Sequence, residues 1–355
     1  MKIWRFTCML GSIVVGLAIV SSGSAFAANQ SGPKAKAQTE VQWHQAIAKL
    51  RTPGSGCYNA SYPELKWNAT RCEAAPNWAF EPRLLAGSAH PATVGNGVDY
   101  SAKVSGKITQ ATGSFEHVTK GITEKGKVGG EGSQLANAFS LQLNSQFFTD
   151  PPACSGTPNP DDCYGWQQFI YAYDYEPGEN AVFMEYWIIY LDTTCPAGWN
   201  TYKEDGTISC WLNSSASPYG ALPAKDLGDI DLAGQASSGG NDQVTLSSTS
   251  GKSSSASGSD SVLDLANYWN TTEWGVFGDG GGTKADFGTK TTLEAQTSLQ
   301  GTSSSAPTCV KEGFTAETNN LDLTKTPATG TESSPTMASK QTNHKATKAS
   351  CAVAA

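Results

Sequence analysis

Charge and metal-ligating side chains are scarce in this sequence, and each scarcity closes off a class of function. Of 355 residues only 16% are charged, acidic residues (32) outnumber basic ones (24), and the formal net charge is −8. A nucleic-acid footprint needs a basic patch or stripe, and none is present. The histidines, His44, His90, His117 and His344, lie far apart, and no Cys-x-x-Cys occurs. A zinc site therefore has no ligand spacing to start from, and neither metal nor cofactor is expected. Beyond the first residues no apolar run is long enough to cross a bilayer.

What is present begins with Lys2 and Arg5, an apolar stretch, and the small-residue end Ala25-Phe26-Ala27. This pattern reads as a cleavable secretory signal over residues 1–27, so a secreted, extracytoplasmic chain is expected. Its removal takes away two positive charges and moves the net charge from −8 to −10. Cys8 leaves with the signal. The remaining cysteines fall into neighbouring couples, Cys57 with Cys72, Cys154 with Cys163, Cys195 with Cys210 and Cys309 with Cys351. An even number in an exported chain points to disulfides, and sequential pairing is the favoured connectivity.

Residues 28–94 read as an N-terminal extension or propeptide-like segment. Within it "TEVQWHQAIAKL" predicts a short helix capped by Thr39, with Glu40 at its positive end and Pro53-Gly54 as a stop. From residue 95 to 314 the pattern becomes short alternating or apolar runs between turn residues. These runs, "GWQQFIYAYDYE" and "NAVFMEYWIIYL" among them, predict antiparallel hairpins and an all-β sandwich. One helix is expected at "SDSVLDLANYW", where Val262, Leu265, Ala266 and Trp269 form an apolar stripe. Residues 315–355 are rich in Thr, Ser, Lys and Ala and read as a low-complexity, largely disordered tail tethered by Cys351.

Two glycine-rich stretches invite a ligand and do not support one. "GITEKGK" at Gly121–Lys127 begins like a phosphate-binding loop, but Val128 stands where magnesium would need a hydroxyl. "GDGGG" at Gly278–Gly282 offers one carboxylate, Asp279, too few for calcium, and reads as a wide turn. The polar residues inside strand-like runs are more informative: Gln167 and Gln168, Glu185, and Glu273. A strand sends alternate side chains to opposite faces, so a carboxyl flanked by rings can sit in a cleft with a raised pKa suited to acid–base work. The competing expectation is a solvent-facing strand position.

The order "TGSFEHV", "NAFSLQL", a glutamine strand, "VFMEYWIIY", then "TTEWGVF" followed by "KADFG", is similar to the glutamic peptidases, the eqolisins. The resemblance spans roughly residues 95–299 and implies a concanavalin-like jelly-roll sandwich. It also implies that Glu273, before Trp274, is the base that activates water, and that Gln168 or its neighbour Gln167 stabilises the tetrahedral oxyanion. Glu185 would bind substrate, with Trp166, Trp187 and Trp274 contributing rings. Phe277 stands where the family has a second glutamate.

A second likeness is local. "VFMEYWIIY" and "TTEWGVFGDGG" resemble the two carboxylate strands of jelly-roll xylanases, which would make Glu185 and Glu273 a retaining glycosidase pair. A third possibility is a non-catalytic glycan-binding module with aromatic stacking surfaces. The expected partner is a polypeptide or polysaccharide substrate, without nucleic acid or membrane, and the expected state is a monomer.

Overall fold

Two antiparallel sheets packed face to face account for most of the strands, because the runs read as hairpins have too much apolar surface on one side to stand alone. The computed structural model describes residues 39–83, 100–173, 180–204, 206–302, 305–344 and 351. The expected secretory signal and the leader after it lie outside those residues. The architecture is a jelly-roll β-sandwich stapled by disulfides.

The first sheet runs Asn68–Thr70, Gly56–Ser61, Lys252–Ser259, Asn241–Ser248, Ile230–Gln235, Ile108–Glu116, Thr292–Gly301, Ser334–Thr342 and Asp322–Leu323. The second runs Asn200–Glu204, Thr207–Asn213, Ala181–Ile189, Tyr164–Ala172, Ser140–Ser145, Thr271–Phe277, Ser101–Lys103 and Thr308–Val310. Between them lies the main core, with Leu143, Phe169, Tyr186 and Val276 facing Leu232, Val244, Leu246 and Leu299. Trp274 belongs to this inner layer, its ring centroid 4.9 Å from that of Phe115. Gly113 makes room for it, since a Cβ there would come within 2.0 Å of the Trp274 ring.

Four disulfides join Cys57 to Cys72, Cys154 to Cys163, Cys195 to Cys210 and Cys309 to Cys351, the sequential pairing expected. The helix Glu40–Ile47 forms with a capping box in which Thr39 and Gln42 satisfy each other's backbone N–H groups. The wide turn at "GDGGG" is also present, with Gly280, Gly281 and Gly282 all at positive φ, a conformation that glycine adopts without strain.

Three expectations need correction. "SDSVLDLANYW" is not one helix but two 3-10 turns, Asp260–Val262 and Leu265–Asn267, separated by Asp264 in the left-handed region at φ 61°. Short polar side chains capture the backbone there: Asp260 Oδ1 accepts the Ala266 N–H at 3.0 Å, and Asn267 donates to the Asp264 carboxylate at 2.8 Å. Leu265 and Trp269 are buried in the core all the same.

The presumed tail is structured. Ser334–Thr342 pairs along Thr292–Gly301, with Met337, Ser339, Gln341 and Thr342 buried. Its hydroxyls hydrogen-bond neighbours, as Thr342 Oγ1 does to the Thr291 carbonyl at 2.8 Å, so a polar composition still fills a strand paired on both sides. The N-terminal segment is likewise built in, because Gly56–Ser61 pairs with Lys252–Ser259. Strand pairing thus continues on both sides of residues 95–314.

Candidate functional site

Register brings the sequence candidates together. In the second sheet Glu185 pairs with Gln168, Gln168 with Asn144, Asn144 with Glu273, and Glu273 with Ser101. Directly paired residues share a face, so one polar row crosses five neighbouring strands on the side turned away from the first sheet. Because adjacent residues alternate, Gln167 must face the opposite way. It does, donating through Nε2 to Asp242 Oδ2 at 2.9 Å inside the sandwich. Trp274 also faces inward, its indole N–H donating to the Ser114 carbonyl at 3.0 Å.

The row is held by amides and carboxyls in sequence. Asn144 Nδ2 donates to Glu273 Oε2 at 2.9 Å and lies 3.2 Å from Gln142 Oε1. The Gln168 amide spans the next gap. With its nitrogen toward Gln142 it donates to Oε1 at 3.1 Å. Turned about, it donates to Glu185 Oε1 at 3.1 Å and to the Phe80 carbonyl at 3.0 Å. The second orientation gives both of those oxygens a donor, and it requires the Gln142 amide to turn as well, so that its nitrogen meets the Gln168 oxygen at 3.1 Å. Glu185 Oε1 already accepts from the Trp187 indole at 2.7 Å and from the Phe80 N–H at 2.9 Å.

Two extended pieces of the chain lie over this row. Trp78, Ala79, Phe80 and Phe314 pack onto the outer face with Trp166, Phe183, Trp187 and Ile189. The pieces bond to each other, Arg83 N–H to the Phe314 carbonyl at 3.1 Å and Ala316 N–H to the Glu81 carbonyl at 2.8 Å, with a bridge between Pro82 and Thr315. Each piece also presents backbone N–H groups to a carboxyl group. Phe314 donates to Glu273 Oε2 at 2.9 Å, and Glu81 donates to Glu317 Oε1 at 3.0 Å. Glu317 further accepts from Gly282 N–H at 3.1 Å and from the Thr315 hydroxyl.

Burial sets the electrostatics. Glu273 is 1% exposed, Gln168 and Glu185 0%. Desolvation holds the Glu185 carboxyl well above the usual range; the Trp187 and Phe80 N–H groups oppose this, and the nearby Glu317 and Glu81 reinforce it. Burial likewise pushes Glu317 up to about 7 against the hydrogen bonds it accepts from Thr315, Glu81 and Gly282. No group of three or more His, Cys, Asp or Glu able to hold a metal occurs among the described residues.

Of the sequence candidates, the structure joins Glu273, Gln168 and Glu185 on one face and separates Gln167 and Trp274 from them. Trp166 and Trp187 share that face but are fully buried, so their rings prop the row and offer no open stacking surface. Glu185 and Glu273 stand three strand steps apart, about 14 Å between Cα positions at typical strand spacing. The amides of Gln168, Gln142 and Asn144 fill the interval, which is not the close pairing a retaining glycosidase needs. Sequence reasoning missed Asn144, Gln142, Phe80, Phe314 and Glu317. The alternation in "NAFSLQLNSQFF" could have placed Gln142 and Asn144 on one face; nothing local marks the other three.

No family model and no curated protein sequence matches the chain. Among solved structures it is similar to a scytalido-glutamic peptidase with a transition state analog inhibitor, at 12% identity over 68% of this chain and 97% of that one, with a TM-score of 0.30. The same peptidase with a peptide based transition state analog gives 12% identity, the same coverage and a TM-score of 0.27. SCP-B, a member of the Eqolisin family in a complex with the tripeptide Ala-Ile-His, gives 11%, 68%, 97% and 0.25. No helix among the described residues is long and apolar enough to cross a membrane.

Proposed function

We propose that this chain is an exported, acid-active endopeptidase of the glutamic type, held closed in this form by two of its own segments. The observation behind this reading is the peptide group clasped by the row: the Phe80 carbonyl accepts from Gln168 while its N–H donates to Glu185. A backbone carbonyl therefore already sits on the uncharged amide donor that would meet a developing oxyanion. Glu273 lies in the same row, two strands away, and takes a peptide N–H from Phe314.

With the covering segments displaced, a water between Glu273 and the substrate carbonyl would give its proton to the Glu273 carboxylate as its oxygen attacks the carbonyl carbon. The oxyanion would accept from Gln168. On collapse the C–N bond breaks, the amine leaves with the proton returned by Glu273, and the acid product carries the water oxygen. Asn144, bonded to Glu273, fixes the carboxylate without taking part in the proton transfer.

The test is peptide release from a denatured protein at about pH 4, near the carboxyl range, with the intact chain and with a sample nicked by limited proteolysis. Release from the nicked sample, abolished by Glu273→Gln and by Gln168→Ala, is expected. Inertness of the nicked sample, or release indifferent to both substitutions, would overturn the reading and leave the row as packing.

A further inference from the structure

The groove beside the row has a chemistry of its own. It encloses about 440 Å³ and abuts the row through Phe314, whose N–H caps Glu273 and whose ring meets Phe147 edge-on at 5.3 Å. Its wall is aromatic, with Phe148 and Tyr268 stacked at 5.0 Å. Gln146 lines it too but is committed to the backbone, donating to the Tyr268 carbonyl at 2.8 Å and accepting from Thr271 N–H at 3.0 Å.

Two ammonium groups are the groove's cationic donors, beside the neutral side chains of Thr149, Tyr164 and Asn270. Lys103 and Lys107 line it, and neither forms an ion pair among the described residues. Glu312 is the only carboxylate among the lining residues. On a chain of net charge −8 this is a locally positive, ring-walled groove running up to the candidate catalytic carboxylate.

We infer that this groove is a subsite for an acidic side chain of the polypeptide substrate, Asp or Glu, seated between the two lysines and against the Phe148–Tyr268 stack. The assignment rests on the peptidase reading for its occupant. Carboxylate recognition by two point-charge donors accounts for two lysines lining one groove with no ion-pair partner among the described residues.

The inference is tested by binding, without catalysis. Full-length protein bearing Glu273→Gln, nicked by limited proteolysis to free the row, is titrated against two fluorescent octapeptides that differ only by Asp or Asn beside a Tyr, at about pH 5.5 where Asp is ionised. Anisotropy is expected to show the Asp peptide bound about fivefold more tightly or better, with the difference lost in Lys103→Ala/Lys107→Ala and screened at about 0.5 M salt. Equal affinities, no binding of either peptide, or a preference that survives the double substitution would overturn it. Cleavage of denatured protein without an Asp preference would strike this subsite alone, whereas an Asp preference without cleavage would strike the peptidase reading alone.

Discussion

The carbonyl oxygen of Phe80 lies 3.0 Å from the Gln168 amide, and the ring of the same residue packs at 5.8 Å from Phe183. One residue thus plugs the row with its backbone and anchors the plug with its side chain. Phe80→Ala removes the anchor. A fully buried Phe truncated to Ala loses about 3 kcal/mol of packing, here confined to the covering segment. Hydrogen exchange at the Phe80, Glu81 and Ala316 amides should quicken while the central strands stay protected, and acid peptide release by the intact chain should rise. Unchanged exchange at those amides would mean that the segment is held elsewhere.

The two adjacent glutamines give a second prediction, because strand alternation sends them to different tasks. Gln167→Ala leaves the buried Asp242 carboxyl without its 2.9 Å donor. It should lower unfolding stability by about 1–3 kcal/mol while the activity of surviving folded protein stays near wild type. Gln168→Ala, whose amide also serves buried groups, should cost a comparable amount of stability and in addition about 10²–10³ in kcat, the usual loss for an oxyanion donor. Denaturant titration and initial rates on the same preparations separate the two.

Strand existence was legible along the chain, and strand neighbours were not. "VFMEYWIIY" and "WQQFIYAYD" could be read as strands because β-branched and aromatic residues crowd them, yet every residue in Tyr164–Ala172 and Ala181–Ile189 is buried, so alternation could not say which face held Gln168. Only the register with Asn144 and Glu273 decides that, and register depends on strand order set by distant segments. The covering residues were hidden for a related reason: Phe80 and Phe314 act through backbone groups, which no side-chain motif reports. Composition misled at Ser334–Thr342, where small hydroxyl side chains imitate a disordered tail while bonding into the first sheet. Cysteine couples, by contrast, were readable because short loops close between them.

The longest disulfide loop bears on the covering segment directly. Cys309 and Cys351 are 42 residues apart, and the segment carrying Phe314, Thr315 and Glu317 lies within that span. A loop of this length restricts the unfolded chain by about 4 kcal/mol in the chain-entropy account. The double substitution Cys309→Ala/Cys351→Ala should lower stability by up to that amount in denaturant titration. It should also make Ser334–Thr342, within the loop this disulfide closes, exchange its amides faster than the Gln168 strand. A loss below about 1 kcal/mol would mean that sheet pairing alone organises this region.

Buried carboxyl groups set the pH response of the whole fold. Burial raises Glu185 well above its ordinary value, brings Glu317 to about 7, and, with Asp286 nearby, brings Glu124 to about 8. Asp242 is raised by burial and by the neighbouring Asp260. In each case the folded pKa exceeds the unfolded one, so the folded state holds more protons between about pH 4 and pH 8 and its stability falls as pH rises through that window. The contribution is complete below the unfolded carboxyl range and lost above the folded values. Thermal unfolding should therefore show the highest Tm in mild acid and a decline toward pH 8. Glu317→Gln keeps an acceptor for the Glu81 and Gly282 N–H groups but cannot ionise. At about 1.4 kcal/mol per pKa unit, it should remove about 3 kcal/mol of the decline between acid and pH 8. A Tm that climbs from pH 5 to pH 8 would show that these carboxyls are charged and compensated inside the fold.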